Sequence, residues 1–193
     1  MIKDIRIIVI GGSAGSFNTV RKILSSLREN FPLPVILCLH RLKDVRSGFV
    51  ESLNIDSKLP VVEPFDKDQI KPGFAFLSPS NYHLIIEPAR NFALSIEPDI
   101  NYSRPSIDIT FETAGYSFRE QMAGIILSGA NTDGARGLFS AFQNGAYTII
   151  QQPENAQFSK MPAEVLKYFT PHETLTDEEL IVFMNSLKRN KYV

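Results

Sequence analysis

Ile5-Arg6-Ile7-Ile8-Val9-Ile10, followed by Gly11-Gly12-Ser13-Ala14-Gly15-Ser16, sets the architecture of the chain. A β-branched run stopped by paired glycines reads as a strand over Ile5 to Ile10 that enters a tight turn. Beyond the turn, Phe17, Val20, Ile23, Leu24 and Leu27 recur at helical spacing. Pro32 and Pro34 break the helix, and Val35-Ile36-Leu37-Cys38-Leu39 is a continuous apolar run suited to a strand covered on both faces. Strand, turn, helix and second strand make a βαβ unit that is complete at His40.

The rest of the chain extends this pattern. Val61-Val62, Phe74 to Leu77, Tyr82 to Glu87 and Phe92 to Glu97 are short strand-like pieces between Pro, Gly and Asn turns, the last two forming an antiparallel hairpin around Ala89-Arg90-Asn91. Helical spacing returns at Ile107, Phe111, Ala114 and Phe118, with Ser106 placed to cap it. Met122 to Leu127 is a second buried-strand run, Gly134 to Asn144 a helix closed by Gly145, and Tyr147 to Ile150 a further strand. Pro162 to Tyr168 and Thr176 to Leu187 read as closing helices, the latter with Glu179 completing a capping box. The fold class expected is α/β: a doubly wound, mostly parallel sheet flanked by helices, with an antiparallel hairpin. With no linker or repeat, residues 1–193 read as a single domain.

Composition narrows the function. Twenty basic against 21 acidic side chains leave a net charge of -1, which provides no field to hold nucleic acid or an anionic membrane. No apolar stretch is long enough to span a bilayer, and no cleavable leader is evident, so a cytoplasmic location is expected. The single cysteine, Cys38, lies inside an apolar run and reads as a buried, inert thiol. His83 sits within a hairpin strand and His172 in a loop; neither has a ligand at metal-binding spacing, so no metal is expected.

In such sheets, sites collect outside the carboxyl ends of strands. Three polar residues fall there: Ser13, His40 and Asp133. A serine hydroxyl needs an imidazole to take its proton, and the imidazole needs a carboxylate to hold its tautomer and stabilise its cation. Amide N–H groups of the glycine turn, at a helix start, can stabilise an oxyanion. A phosphate-binding loop is the competing reading of the turn. It lacks the Lys-Ser/Thr of a P-loop and the full G-x-G-x-x-G spacing, and His40 stands where an acidic ribose ligand would be needed. Singly, each candidate has a plainer role: Ser13 as a helix cap, His40 as a hydrogen-bonded strand-end residue, Asp133 as a turn or cap residue. Arg104-Pro105-Ser106-Ile107-Asp108 and Met161-Pro162 likewise read first as helix starts. Arg41, Lys43 and Arg46 read as a solvated basic loop rather than a dock for an acidic substrate.

Taken in order, these motifs resemble the catalytic domain of the CheB family, the chemotaxis protein-glutamate methylesterases. The resemblance is carried by Ile8-Val9-Ile10-Gly11-Gly12-Ser13-Ala14-Gly15, by Leu39-His40, and by Ile126-Leu127-Ser128-Gly129-Ala130-Asn131-Thr132-Asp133-Gly134-Ala135-Arg136-Gly137. Pro72 to Pro79, Asn81-Tyr82-His83, Arg104 to Asp108, Gly145 to Gln151 and Met161-Pro162 complete it. It implies Ser13 as nucleophile, His40 as general base and Asp133 as orienting carboxylate in hydrolysis of glutamyl methyl esters, with glutamine deamidation a related activity and no cofactor. Gly12, Ala14, Ala130 and Arg104 become candidates for contacts to substrate or oxyanion. The implied partner is a methyl-accepting chemoreceptor or related sensory protein.

The chain begins at the catalytic domain's first strand, so the expectation is a site without an attached receiver domain, either open or governed by a separate receiver or kinase protein. Family members usually carry Ala, Thr and Gly where this chain has Gly12, Ala14 and Ser16, a methionine at Ala130, and Met-Pro at Arg41-Leu42. Those departures motivate an alternative, a catalytically silent binding module in a sensory complex.

Overall fold

The computed structural model describes residues 4–41 and 48–188. They form a seven-stranded sheet in the order β3-β4-β2-β1-β7-β8-β9, together with a separate two-stranded pair, β5-β6. The strands of the large sheet are β1 (Ile7–Gly12), β2 (Val35–Leu39), β3 (Val61–Val62), β4 (Ala75–Leu77), β7 (Met122–Ile126), β8 (Tyr147–Gln151) and β9 (Glu173–Leu175). Every pairing within it is parallel. The hairpin β5 (His83–Ile86) and β6 (Phe92–Ser95) is antiparallel, as expected.

The helices α1 (Ser16–Ser26), α2 (Phe49–Asn54), α3 (Ile107–Phe118), α4 (Ala135–Gln143), α5 (Lys160–Val165) and α6 (Asp177–Ser186) cover both faces. Period-2 alternation along β1 divides the core: Ile8 and Ile10 join a cluster with Leu24, Leu37, Ile125 and Phe183, while Ile7 and Val9 join Cys38, Phe111, Leu138 and Ile150 on the opposite side. Burial on both faces explains why the central strands read as unbroken apolar runs.

The structure refines several boundaries. β1 continues through Gly11 and Gly12, which stay in register with Cys38 and Leu39. Gly11 is required where α3 crosses: a Cβ there would sit 2.4 Å from Ile107 Cγ2 and 2.8 Å from Phe111 Cε2. α5 begins before Pro162 and ends at Val165, short of the expected Tyr168. Helix α2 and edge strand β9 lacked a sequence signal, because a six-residue helix and a three-residue strand with two exposed members bury too little to show a period.

The chain runs from β1 to β2 in one direction along the sheet and later returns to β7 on the other flank of β1. Doubly wound sheets open a crevice at this reversal of order, outside the strands' carboxyl ends.

Candidate active site

Ser13 and His40 are brought together by the β1/β2 ladder. Gly12 pairs with Leu39, and the next rung is a bond from His40 N–H to Gly12 O at 3.0 Å, so the two residues leave adjoining strands side by side. On the other flank, Leu127 N–H donates to Gly11 O at 2.9 Å and Ser13 N–H to Ser128 O at 2.9 Å, which ties the loop leading to Asp133 against the same turn.

His40 Nε2 lies 2.8 Å from Asp133 Oδ2, and the carboxylate is fully buried. An ionised carboxylate can only accept, so Nε2 carries the proton and Nδ1 holds the lone pair. Nδ1 is therefore the nitrogen able to act as a base. It accepts from Asn131 Nδ2 at 3.0 Å. Among the described residues, Ser13 Oγ has no hydrogen-bond partner. The His40–Asp133 half of the expected set is thus joined directly, whereas Ser13 is adjacent through the backbone.

Asp133 is held by an exchange between two helices. Its carboxylate accepts from Ile107 N–H (2.7 Å), Asp108 N–H (3.2 Å), Ser106 Oγ (3.1 Å) and Asn101 Nδ2 (3.2 Å), at the N-terminus of α3. Asp108, from the first turn of α3, in return accepts from Gly134 N–H (2.9 Å) and Gly137 N–H (2.7 Å) at the start of α4. Each helix N-terminus thereby receives an acid supplied by the other's segment, satisfying amides that have no intrahelical acceptor. Asn101 Nδ2 bridges the carboxylates, reaching Asp108 Oδ2 at 2.9 Å.

The two acids shift in opposite directions. Burial pushes Asp133 up, but the hydrogen bonds from His40, the Ile107 amide and Asn101 hold it below the usual carboxylate range. Burial raises Asp108 despite the Gly137 and Gly134 amides, and the neighbouring Asp133 charge adds to the rise.

In the serine turn, Gly15 has φ 82°, and a Cβ there would lie 2.7 Å from Ser128 Oγ, so glycine is required on both counts. Ser13 O accepts from Ser16 N–H (3.0 Å) and Ser16 Oγ (2.7 Å), which sets the start of α1. The N–H groups of Ala14 and Ala130 have no acceptor among the described residues, and both residues are exposed. They are open donors, one in the Ser13 turn and one in the loop that Ser128 ties to it. Gly12 contributes its carbonyl to His40 N–H and space for Ser16.

Arg104 is occupied elsewhere: its guanidinium donates to Asn81 Oδ1 at 2.7 and 3.1 Å and to the carbonyls of Ile96 and Glu97, joining the two ends of the hairpin segment. The Arg104-to-Asp108 segment does more than start a helix, since Ser106, Ile107 and Asp108 all bond Asp133. Met161 packs beneath Gly129, where a Cβ would meet its Cε at 2.5 Å.

Arg41 corrects the expectation of a solvated basic loop. Its side chain is 2% exposed, pairs with Glu63, donates to Ser78 O at 2.9 Å and lies 5.5 Å from the centre of the Phe49 ring. The end of β2 packs it between β4 and α2, where a guanidinium finds both a carboxylate and an aromatic face. Leu42, Lys43 and Arg46 lie outside the described residues.

Three supporting residues went unnoticed in the sequence: Asn101, Asn131 and Gln151. Gln151 Oε1 accepts from Ser128 N–H at 2.7 Å, and its Nε2 donates to Asp177 Oδ1 at 2.7 Å, coupling the loop beside the Ser13 turn to α6. Asn131 lies inside the aspartate loop and Gln151 ends the Gly145-to-Gln151 segment, which were their local signals; Asn101 had none. His83, by contrast, is a core histidine, accepting from Ser106 N–H through Nδ1 and lying 3.1 Å from Pro98 O through Nε2. Among the described residues, no group of three or more His, Cys, Asp or Glu side chains is arranged to hold a metal ion.

Fold and site define a class: a doubly wound α/β domain with a serine, a histidine and an aspartate gathered at the carboxyl ends of its central strands. The family model described as CheB methylesterase matches residues 8–183, and the chain belongs to that family. A relative from Leptospira interrogans is 34% identical over 183 residues, covering 95% of both chains. The protein-glutamate methylesterase/protein-glutamine glutaminase 4 of Geobacter metallireducens is 34% identical over 188 residues, and the match spans 97% of this chain but 54% of that protein. The crystal structure of the Thermotoga maritima CheB methylesterase catalytic domain superposes with a TM-score of 0.90 at 27% identity, covering 95% of this chain and 99% of that one.

Proposed function

We propose that this chain is a serine esterase that removes methyl groups from glutamyl methyl esters of a chemoreceptor-like sensory protein in the cytoplasm, and that it also deamidates glutamine. The observation that carries the reading is the buried His40–Asp133 bond beside the Ser13 turn, at adjoining strand ends. Relatives named for both activities, among them the Geobacter protein, support the substrate class. No helix among the described residues is long and apolar enough to cross a membrane.

In this reading Ser13 Oγ attacks the side-chain carbonyl carbon while its proton passes to His40 Nδ1. Asp133 keeps the proton on Nε2 and stabilises the imidazolium. The oxyanion meets the open N–H groups of Ala14 and Ala130. Collapse delivers the proton to the leaving oxygen of the ester, releasing methanol, or to the leaving nitrogen of glutamine, releasing ammonia. Water activated at Nδ1 then hydrolyses the acyl-enzyme. A methylated receptor fragment incubated with wild-type protein is expected to yield methanol, and with Ser13→Ala none; equal release from the two would refute the reading.

A second reading, a silent binding module, draws on the absence of a Ser13 Oγ hydrogen bond among the described residues and on the partner that His40 Nδ1 already has. Tight binding of the receptor fragment without methanol release by wild-type protein would favour it.

A further inference from the structure

We propose that Asn131 is a positioning residue that latches the base: it holds the His40 lone pair in the resting state, and substrate must release it before Ser13 can lose its proton. This rests on the hydrolase reading above. With Nε2 committed to Asp133 at 2.8 Å, Nδ1 is the only basic nitrogen of the ring, and it has one in-plane lone pair. Asn131 Nδ2 occupies it at 3.0 Å.

The direction of that amide is fixed independently. Asn131 Oδ1 accepts from Asp133 N–H at 3.2 Å, closing a turn onto the residue two further along, so the NH2 group faces the imidazole. Ser13 O–H and the Asn131 amide therefore compete for one acceptor. Asn131 is only half-buried and its neighbours Ala130 and Thr132 are exposed, which leaves the side chain room to turn outward. Asp133 is fully buried and multiply bonded, so the latch can open without loosening the acid.

Two substitutions separate latch from scaffold. Asn131→Ser keeps an oxygen able to accept from Asp133 N–H but is too short to reach Nδ1, so the base is released with the turn intact. Asn131→Asp keeps size and turn but replaces the donor with an acceptor. Its carboxylate takes a proton bound at Nδ1, so the imidazole rests as a cation between two acids and has no lone pair.

The test is the rate at which a fluorophosphonate labels Ser13. In that reaction the Oγ–P bond forms, the P–F bond breaks, and the serine proton passes through Nδ1 to leave with fluoride. A net hydrogen bond of ordinary strength corresponds to an acceleration of about 2- to 12-fold in the limiting labelling rate of Asn131→Ser. The probe concentration at half-maximal rate should be unchanged, because the latch acts on proton transfer. Asn131→Asp should be slower than wild type by tenfold or more, with its unfolding midpoint in urea near the wild-type value. Wild-type labelling at Ser13 with Asn131→Ser equal or slower overturns the latch and leaves the nucleophile standing. Absence of Ser13 labelling in all three proteins overturns both.

Discussion

Gly12 and Ser16, two positions at which the serine turn is expected to depart from its family, abut one another, and a double-mutant cycle can test whether the two residues compensate. A Cβ on Gly12 would lie 2.6 Å from both Cβ and Oγ of Ser16, and 3.4 Å from Leu39 Cδ2. Favourable carbon contacts sit at roughly 3.5–4.0 Å, so the overlap is about 1 Å and falls on a buried residue in the first turn of α1. The clash includes Ser16 Cβ, which cannot rotate away. Gly12→Ala alone should therefore cost about 1–3 kcal/mol, the usual range for overpacking. Ser16→Gly alone loses the 2.7 Å bond to Ser13 O and adds backbone freedom, costing roughly 1–2 kcal/mol. In the double variant, the new methyl group at position 12 takes the space that the Ser16 side chain vacates, and the overpacking term disappears. The Ala and Gly expected of the family at these places would thus assign the side-chain space to the other partner. Urea unfolding of the four proteins, with unchanged slope as the check on two-state behaviour, reads the coupling. A favourable coupling of about 1–3 kcal/mol is expected. Costs that add to within about 0.5 kcal/mol would refute the compensation.

Asp133→Asn should destabilise the protein by roughly 1–3 kcal/mol at neutral pH. The lowered pKa of Asp133 means that its contribution is full above the ordinary value of 3.8 and is lost as pH falls through the folded value, so the gap between variant and wild type in urea should narrow at pH 3. A gap independent of pH would contradict this. Asp108, raised in the fold, works in the opposite sense: its contribution is full below 3.8 and is lost as pH rises through its folded value, which Asp108→Asn measured over the same range should reveal. Gly137→Ala puts a Cβ 2.3 Å from Asp108 O and 2.5 Å from its Cα, against backbone that cannot turn aside, so thermal denaturation should show a loss at the upper end of about 1–3 kcal/mol. Cys38, fully buried and with its thiol pushed up to about 12 by burial, should resist iodoacetamide in the native protein and react only at the rate of opening; fast native labelling would show that the β2 core is looser than described.

Much of the fold was legible because its signals are local. The apolar runs of β2 and β7 mark strands buried on both faces, and Ser106 and Thr176 cap the helices they were expected to cap. Ser13, His40 and Asp133 were found by asking which polar residues follow strands, a question needing only the order of elements. Arg41 shows where this reasoning stops. A basic residue after a strand looks solvated until β4 and α2 are known to enclose it. Ser106 and Asp108 look like ordinary helix-start residues until the loop bearing Asp133 lies against them.

Side-chain period and turn chemistry act between near neighbours, and they were enough to give a doubly wound α/β domain, the ends of its strands and the three reactive residue types placed there. Which nitrogen of His40 keeps its lone pair, that Asn131 bonds it, and that Asp108 and Asp133 are exchanged between two helix N-termini were decided in three dimensions alone. Those outcomes depend on hydrogen bonds between residues as many as 93 positions apart, formed where separately folded elements meet. Local pattern places each donor and acceptor on its own element, and the packing of those elements selects the pairs.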